Sequence, residues 1–194
     1  MLVLGLTMCI SLMLGIVFAS PTNTVYAAGE TLTPYDRIYV NDEALNSGWS
    51  LDESYTQKKG NPTSGYVAKY NNGVLTLNNY SGGYVGTSAP ASGYYKIDLI
   101  GNNVITGGQR GVFIDTSKEG RVTITSSANG KLTINVSSAT SVWGIACGAS
   151  NSAKTTDVVI GGNAQVTVNA TSNGENEQVQ LFCLLFSVQF HYID

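Results

Sequence analysis

Alternating apolar strands, Gly/Asn turns and one phrase that recurs along the chain predict an all-β fold, a right-handed parallel β-helix whose stacked units cover one another. The phrase is a strand, a turn, a second strand, then Gly followed by apolar residues. It first reads Tyr95-Lys96-Ile97-Asp98-Leu99, Val104-Ile105 and Gly111-Val112-Phe113-Ile114. It returns as Arg121-Val122-Thr123-Ile124, Leu132-Thr133-Ile134 and Gly144-Ile145-Ala146-Cys147, and again as Asp157-Val158-Val159-Ile160 and Val166-Thr167-Val168. Composition agrees, since only 12% of the 194 residues are charged and 22 are Gly, a balance poor in helix formers. A β-sandwich is the rival, because short strands with turn signals describe it too. Recurrence of whole three-strand phrases, rather than of single strands, favours the β-helix.

The chain opens on a nearly unbroken apolar stretch from Leu2 to Ala19, followed by Val25-Tyr26-Ala27-Ala28, whose small residues suit a signal peptidase. Residues 1–28 are therefore read as a secretory signal cleaved near Ala27/Ala28, and the product as secreted or held at the cell surface. No Lys or Arg precedes Arg37, a departure from the usual basic start that points to a beginning further upstream. An uncleaved anchor is the alternative, the stretch being about long enough to cross a bilayer. Cys9 does not make a lipoprotein site, because Met8 before it is too bulky.

Residues 29–64 form an N-terminal cap region, in which Arg37-Ile38-Tyr39-Val40 and the Asn41-Asp42-Glu43 turn supply strands while 51–64 reads as loop. The repeats occupy 65–176. They start with two runs around Asn71-Asn72-Gly73, a tight hairpin because Asn and Gly tolerate positive φ, with Leu75 and Leu77 as the first core-facing pair. A period of two then sends Ile97, Leu99, Val122, Ile124, Leu132, Ile134, Ile160, Val166 and Val168 inward. It sends Lys96, Asp98, Thr123, Thr125, Thr133, Asn135, Thr167 and Asn169 outward. Aligning Ile97 with Val122, and Val122 with Val158, gives units of unequal length with an insertion at 147–156.

Asn102, Asn103, Asn129 and Asn163 recur at the first turn of a unit, where they either stack in hydrogen-bonded ladders or adopt left-handed turns. Residues 177–194 are a hydrophobic tail without the repeat, arriving where the third unit should supply its last strand. A frameshift or truncated gene is one origin, and a strand or helix covering the open end of the stack is the other. Cys147 occupies the place of Ile114 and reads as a small core residue, pairing with Cys183 being the alternative in an exported protein.

The runs Asn72-Gly73-Val74-Leu75-Thr76-Leu77-Asn78-Asn79-Tyr80, Ile97 to Gly108, Gly111-Val112-Phe113-Ile114 and Leu132-Thr133-Ile134 carry a resemblance. Over roughly residues 35–174 the chain resembles the secreted right-handed β-helix proteins of Gram-positive anaerobic bacteria that are described as carbohydrate-binding-domain-containing. The resemblance implies a non-catalytic surface protein attached to polysaccharide, and it carries over no individual binding residue.

The net charge of −3 with scattered Lys and Arg offers no basic stripe for phosphates or anionic lipid, which excludes nucleic acid as a partner and any membrane role beyond the signal. Enzymes on β-helices use clustered carboxylates or a calcium site beside a basic residue. Here the single histidine, His191, lies in the tail, and the acids Asp98, Asp115, Glu119 and Asp157 read as solvated charges. A lyase-like or esterase site built from Asp98, Asp115 and Arg121 is the catalytic alternative, and a structural spacer of a surface protein is the third reading. No loop has the spacing of a dedicated metal site, so neither metal nor cofactor is expected. Binding has better material in eleven Tyr and two Trp, because flat rings with a polar tip stack on the apolar faces of sugars. Tyr80, Tyr84 and Tyr94 are the predicted contact patch for a polysaccharide or cell-surface glycan, the alternative being that these rings seal the cap.

Overall fold

The computed structural model describes residues 32–89, 92–116, 119–139, 142–149, 156–172, 179–185 and 190–193. These residues are all-β, with no helix among them, as the alternation predicts. The predicted signal, residues 1–28, lies outside them, and so do the side chains of Asp115, Cys147 and Cys183.

The N-terminal region is antiparallel. Strands β1 (Arg37–Val40) and β2 (Glu43–Asn46) make a hairpin over Asn41 and Asp42, both at positive φ. Strand β3 (Trp49–Leu51) pairs on one side with β4 (Gln57–Lys59) and on the other with β5 (Ala68–Asn71). The predicted loop 51–64 thus contains an edge strand. The expected Asn-Gly hairpin joins β5 to β6 (Val74–Asn78), with Asn72 at φ 52° and Gly73 at φ 81°, the backbone that a two-residue turn requires.

The remaining strands follow in threes: β7 (Ser81–Gly82), β8 (Val85–Ala89), β9 (Gly93–Ile100); β10 (Asn102–Gly107), β11 (Arg110–Thr116), β12 (Gly120–Thr125). Then come β13 (Lys131–Ser138), β14 (Val142–Ala149), β15 (Thr156–Gly161), β16 (Gln165–Ser172), β17 (Val179–Leu185) and β18 (Phe190–Ile193). From β6 to β15 each strand pairs in parallel with the strand three places later. Three sheets result: a four-stranded one (β16-β13-β10-β7), a six-stranded one (β17-β14-β11-β8-β1-β2) and an eight-stranded one (β18-β15-β12-β9-β6-β5-β3-β4). The two larger sheets are mixed, a parallel body continued by antiparallel cap strands, rather than uniformly parallel.

The core lies between the sheets and follows the predicted faces. Ile97, Leu99, Val122, Ile124, Leu132 and Ile134 are buried, with Leu75, Leu77, Val112 and Ile145 beside them. Val166 and Val168 are half-buried, because β16 is the edge of its sheet among the described residues. The register departs from the predicted one by two residues: Ile124 pairs with Ile97, and Val122 pairs with Tyr95, whose ring fills an inward place. Cys147 stands opposite Ile114, as its place in the phrase predicts. In the tail, the backbones of β17 and β18 pair with β14 and β15 and so take the next places in their sheets.

Asparagines at the turns hold neighbouring strands together through the backbone. Asn103 is buried, its Oδ1 accepting from the Tyr80 N–H at 2.9 Å and its Nδ2 donating to the carbonyls of Ile100 and Lys131, each at 3.1 Å. Asn129 takes the left-handed turn, with φ 55°. A side-chain bond between stacked asparagines occurs instead mid-strand, where Asn169 Nδ2 donates to Asn135 Oδ1 at 2.8 Å.

Candidate functional site

The three predicted contact tyrosines are not one patch. Tyr80 is wholly buried and is corrected from ligand contact to core residue. It follows β6 at a corner where its N–H is taken by Asn103 and its carbonyl by the Val104 N–H, which turns the ring inward. The hydroxyl donates to the Gly83 carbonyl at 2.8 Å, and the ring meets Tyr55 edge-on at 5.9 Å. Gly82 makes room, since a Cβ there would collide with the Tyr80 hydroxyl. Burial pushes the Tyr80 phenol far above its ordinary range, with Tyr55 and Asp42 adding to the effect.

Tyr94 is half-buried on β9, in the eight-stranded sheet. It is bridged to Pro34, and its ring lies beside Gly73, so it belongs to the seal of the cap. Tyr84 lies just before β8, in another sheet, and is half-buried with its ring 5.4 Å from that of Phe113. Burial raises its phenol, a hydrogen bond to the Asp42 carboxylate raises it further, and Arg110 pulls the other way.

Around Tyr84 the outer face of the six-stranded sheet carries a stripe of rings and guanidinium groups. On β11 the alternation buries Val112 and Ile114 in the core and turns Phe113 to the other side. Phe113 is only 7% exposed, yet it stands outside the core cluster, so the groups that cover it are those of the outer face. Its row in the sheet runs Tyr39, Gly86, Phe113, Ala146, with rings alternating with small residues. A Cβ on Gly86 would collide with the Phe113 ring and with the Phe113 carbonyl, so the ring lies close against β8 at a place only glycine leaves open. The Arg110 Cζ stands 5.1 Å from the centre of the Phe113 ring and 5.2 Å from that of Trp143, its partner in the strand register. At the other end the Arg37 Cζ stands 5.6 Å from the Tyr39 ring. All three distances lie within cation–π range.

The stripe crosses β1, β8, β11 and β14 at right angles to the strands, a span of about 14 Å. Tyr39, Tyr84, Arg110 and Trp143 are half-exposed and Arg37 is exposed. Half-open rings offer apolar faces to a sugar, and guanidinium N–H groups donate to hydroxyl or acidic oxygens at the same place. Of the residues in this stripe, the sequence alone singled out Tyr84, and not Tyr39, Phe113 or Trp143. For Tyr39 and Phe113 the signal was parity, because each is a large ring between two inward aliphatic residues; Trp143 has the parity of the core residue Ile145, so alternation does not mark it.

The suggested catalytic acids do not converge. Arg121 pairs with Asp157 at 2.8 Å across β12 and β15. Asp98 lies opposite Thr125, four residues along the strand from Arg121 and about 13 Å away. Asp115 belongs to the six-stranded sheet instead. Among the described residues no group of His, Cys, Asp and Glu is placed to hold a metal ion. No described helix is long and apolar enough to cross a membrane. No family model, no curated protein and no solved structure matches the chain.

Proposed function

We propose that the chain is a segment of a right-handed parallel β-helix, exported to the outside of the cell, that binds polysaccharide without cleaving it. Pairing of each strand with the one three places on supports this architecture over a β-sandwich, whose neighbouring strands run antiparallel. The observation that carries the binding role is the group of half-exposed rings of Tyr39, Tyr84 and Trp143, set around the covered ring of Phe113, with two arginines over the rings. The three open rings come from β1, the start of β8 and β14, so a glycan laid across these strands meets more than one ring and weak contacts add. Dispersal of Asp98, Asp115 and Arg121 favours binding over acid–base chemistry.

Affinity electrophoresis of the full chain through gels containing plant or microbial polysaccharides tests the reading. Retardation by at least one polymer is expected, and Tyr39→Ala or Trp143→Ala should each weaken it about fivefold, the contribution of one stacked ring. Absence of retardation in every polymer, or retardation that neither substitution changes, would overturn it.

A further inference from the structure

We infer that the stripe selects an acidic polysaccharide, one whose sugars carry carboxylate or sulfate groups; this rests on the glycan-binding reading above. Of the three arginines described, Arg121 is paired with a carboxylate on the eight-stranded sheet, whereas Arg37 and Arg110 sit at either side of the ring row. Among the described residues neither of these two guanidinium groups has a carboxylate within salt-bridge distance. Two of the acids beside β1 are engaged elsewhere, since Asp42 bonds to the Tyr84 hydroxyl and Glu43 accepts from Gln57 Nε2 at 2.7 Å; the third, Asp36, is exposed next to Arg37 in sequence but forms no salt bridge with it. Arg110 lies over two rings, Phe113 and Trp143, which fix the head of an otherwise flexible side chain in place. A guanidinium held this way is partly desolvated and retains its in-plane donors, the geometry that recognises a planar carboxylate or a sulfate.

The rings take the apolar sugar faces while the two arginines take acidic groups on successive parts of the chain. Single-stranded nucleic acid also stacks on rings. However, a protein of net charge −3 with two cations in the stripe has too few charges to neutralise a phosphate at every nucleotide.

The test is affinity electrophoresis of the full chain in polygalacturonate, in its methyl ester, in neutral galactan, in dextran sulfate and in poly(U). Stronger retardation in polygalacturonate than in its ester is expected, weakened by salt, and a stronger effect in dextran sulfate would assign the acidic group as sulfate. Arg37→Gln and Arg110→Gln should each lower the ratio of acid to ester retention about tenfold, the effect of one charge-assisted contact. Arg121→Gln, which removes the same charge from another sheet, should leave that ratio unchanged. Equal retention in the acid and its ester would overturn the inference while sparing the glycan-binding reading. Retention in none of the glycans would overturn both, and preference for poly(U) over every glycan would do the same.

Discussion

Replacing Asn103 by leucine removes one side chain that ties three strands together, and its cost follows from the partners left behind. The amide joins the backbone of Tyr80 before β7 to its own strand β10 and to Lys131 of β13, and it is only 1% exposed. After substitution the buried Tyr80 N–H has no acceptor, a loss of about 1–3 kcal/mol. The Lys131 carbonyl loses its bond from Nδ2, worth about 1 kcal/mol more. The Ile100 carbonyl keeps a donor, the Asn79 N–H at 3.1 Å, and adds little. The expected destabilisation is therefore about 2–4 kcal/mol. In urea, with a slope of about 2 kcal/mol per molar, the midpoint should fall by about 1–2 M. Asn103→Asp sharpens the test, because it keeps an acceptor for Tyr80 but faces two carbonyls with a charge. Its carboxyl titrates above the ordinary range in the native state, so the native protein binds the proton more tightly than the unfolded chain. Stability of that variant should rise as pH falls from neutral. A leucine variant within about 1 kcal/mol of the parent, or an aspartate variant insensitive to pH, would refute the argument.

Burial raises the phenols of both Tyr70 and Tyr80 well above their ordinary value. Their neutral forms are favoured in the native state, so their contribution is complete below about pH 10 and is lost as pH climbs beyond it. Tyrosinate absorbance should show these two groups ionising together with loss of the β-sheet circular dichroism signal, rather than before it. Gly86→Ala places a methyl group against both the Phe113 ring and the Phe113 backbone carbonyl, so β8 and β11 must move apart as well as the ring. The thermal midpoint should therefore fall clearly in that variant, and a midpoint within a degree or two of the parent would show that the two strands are not packed this closely.

Most of the strand faces were legible in the sequence, because a strict period of two leaves little choice about which side of Ile97, Val122 or Leu132 is buried. Register was harder to read. Tyr95 fills a core place with a ring, so matching aliphatic residues shifted the alignment by two. Strand β4 was hidden since Gln57-Lys58-Lys59 carries no apolar pattern and is held at the sheet edge by backbone pairing with β3 and by polar contacts, among them the Lys58–Asp52 salt bridge. Tyr80 misled because parity does not extend through a corner, where backbone bonds to Asn103 and Val104 decide the ring's direction. The stripe lay concealed in the phrase that identified the repeat. Val112-Phe113-Ile114 looks uniformly apolar, and only the contrast between two inward aliphatics and one outward ring marks it as a surface.

The antiparallel strands at the N-terminal end of the sheets also give the molecule a direction in time. Hairpins β1–β2 and β5–β6 close over short turns, so they form without waiting for distant parts of the chain. Once β6 is in place it offers an open edge to β9, and β9 does the same for β12. A polypeptide that emerges from its N-terminus meets each template in the order it needs it. Parallel pairing, ordinarily slow because it joins remote segments, becomes a succession of short additions to an edge already formed.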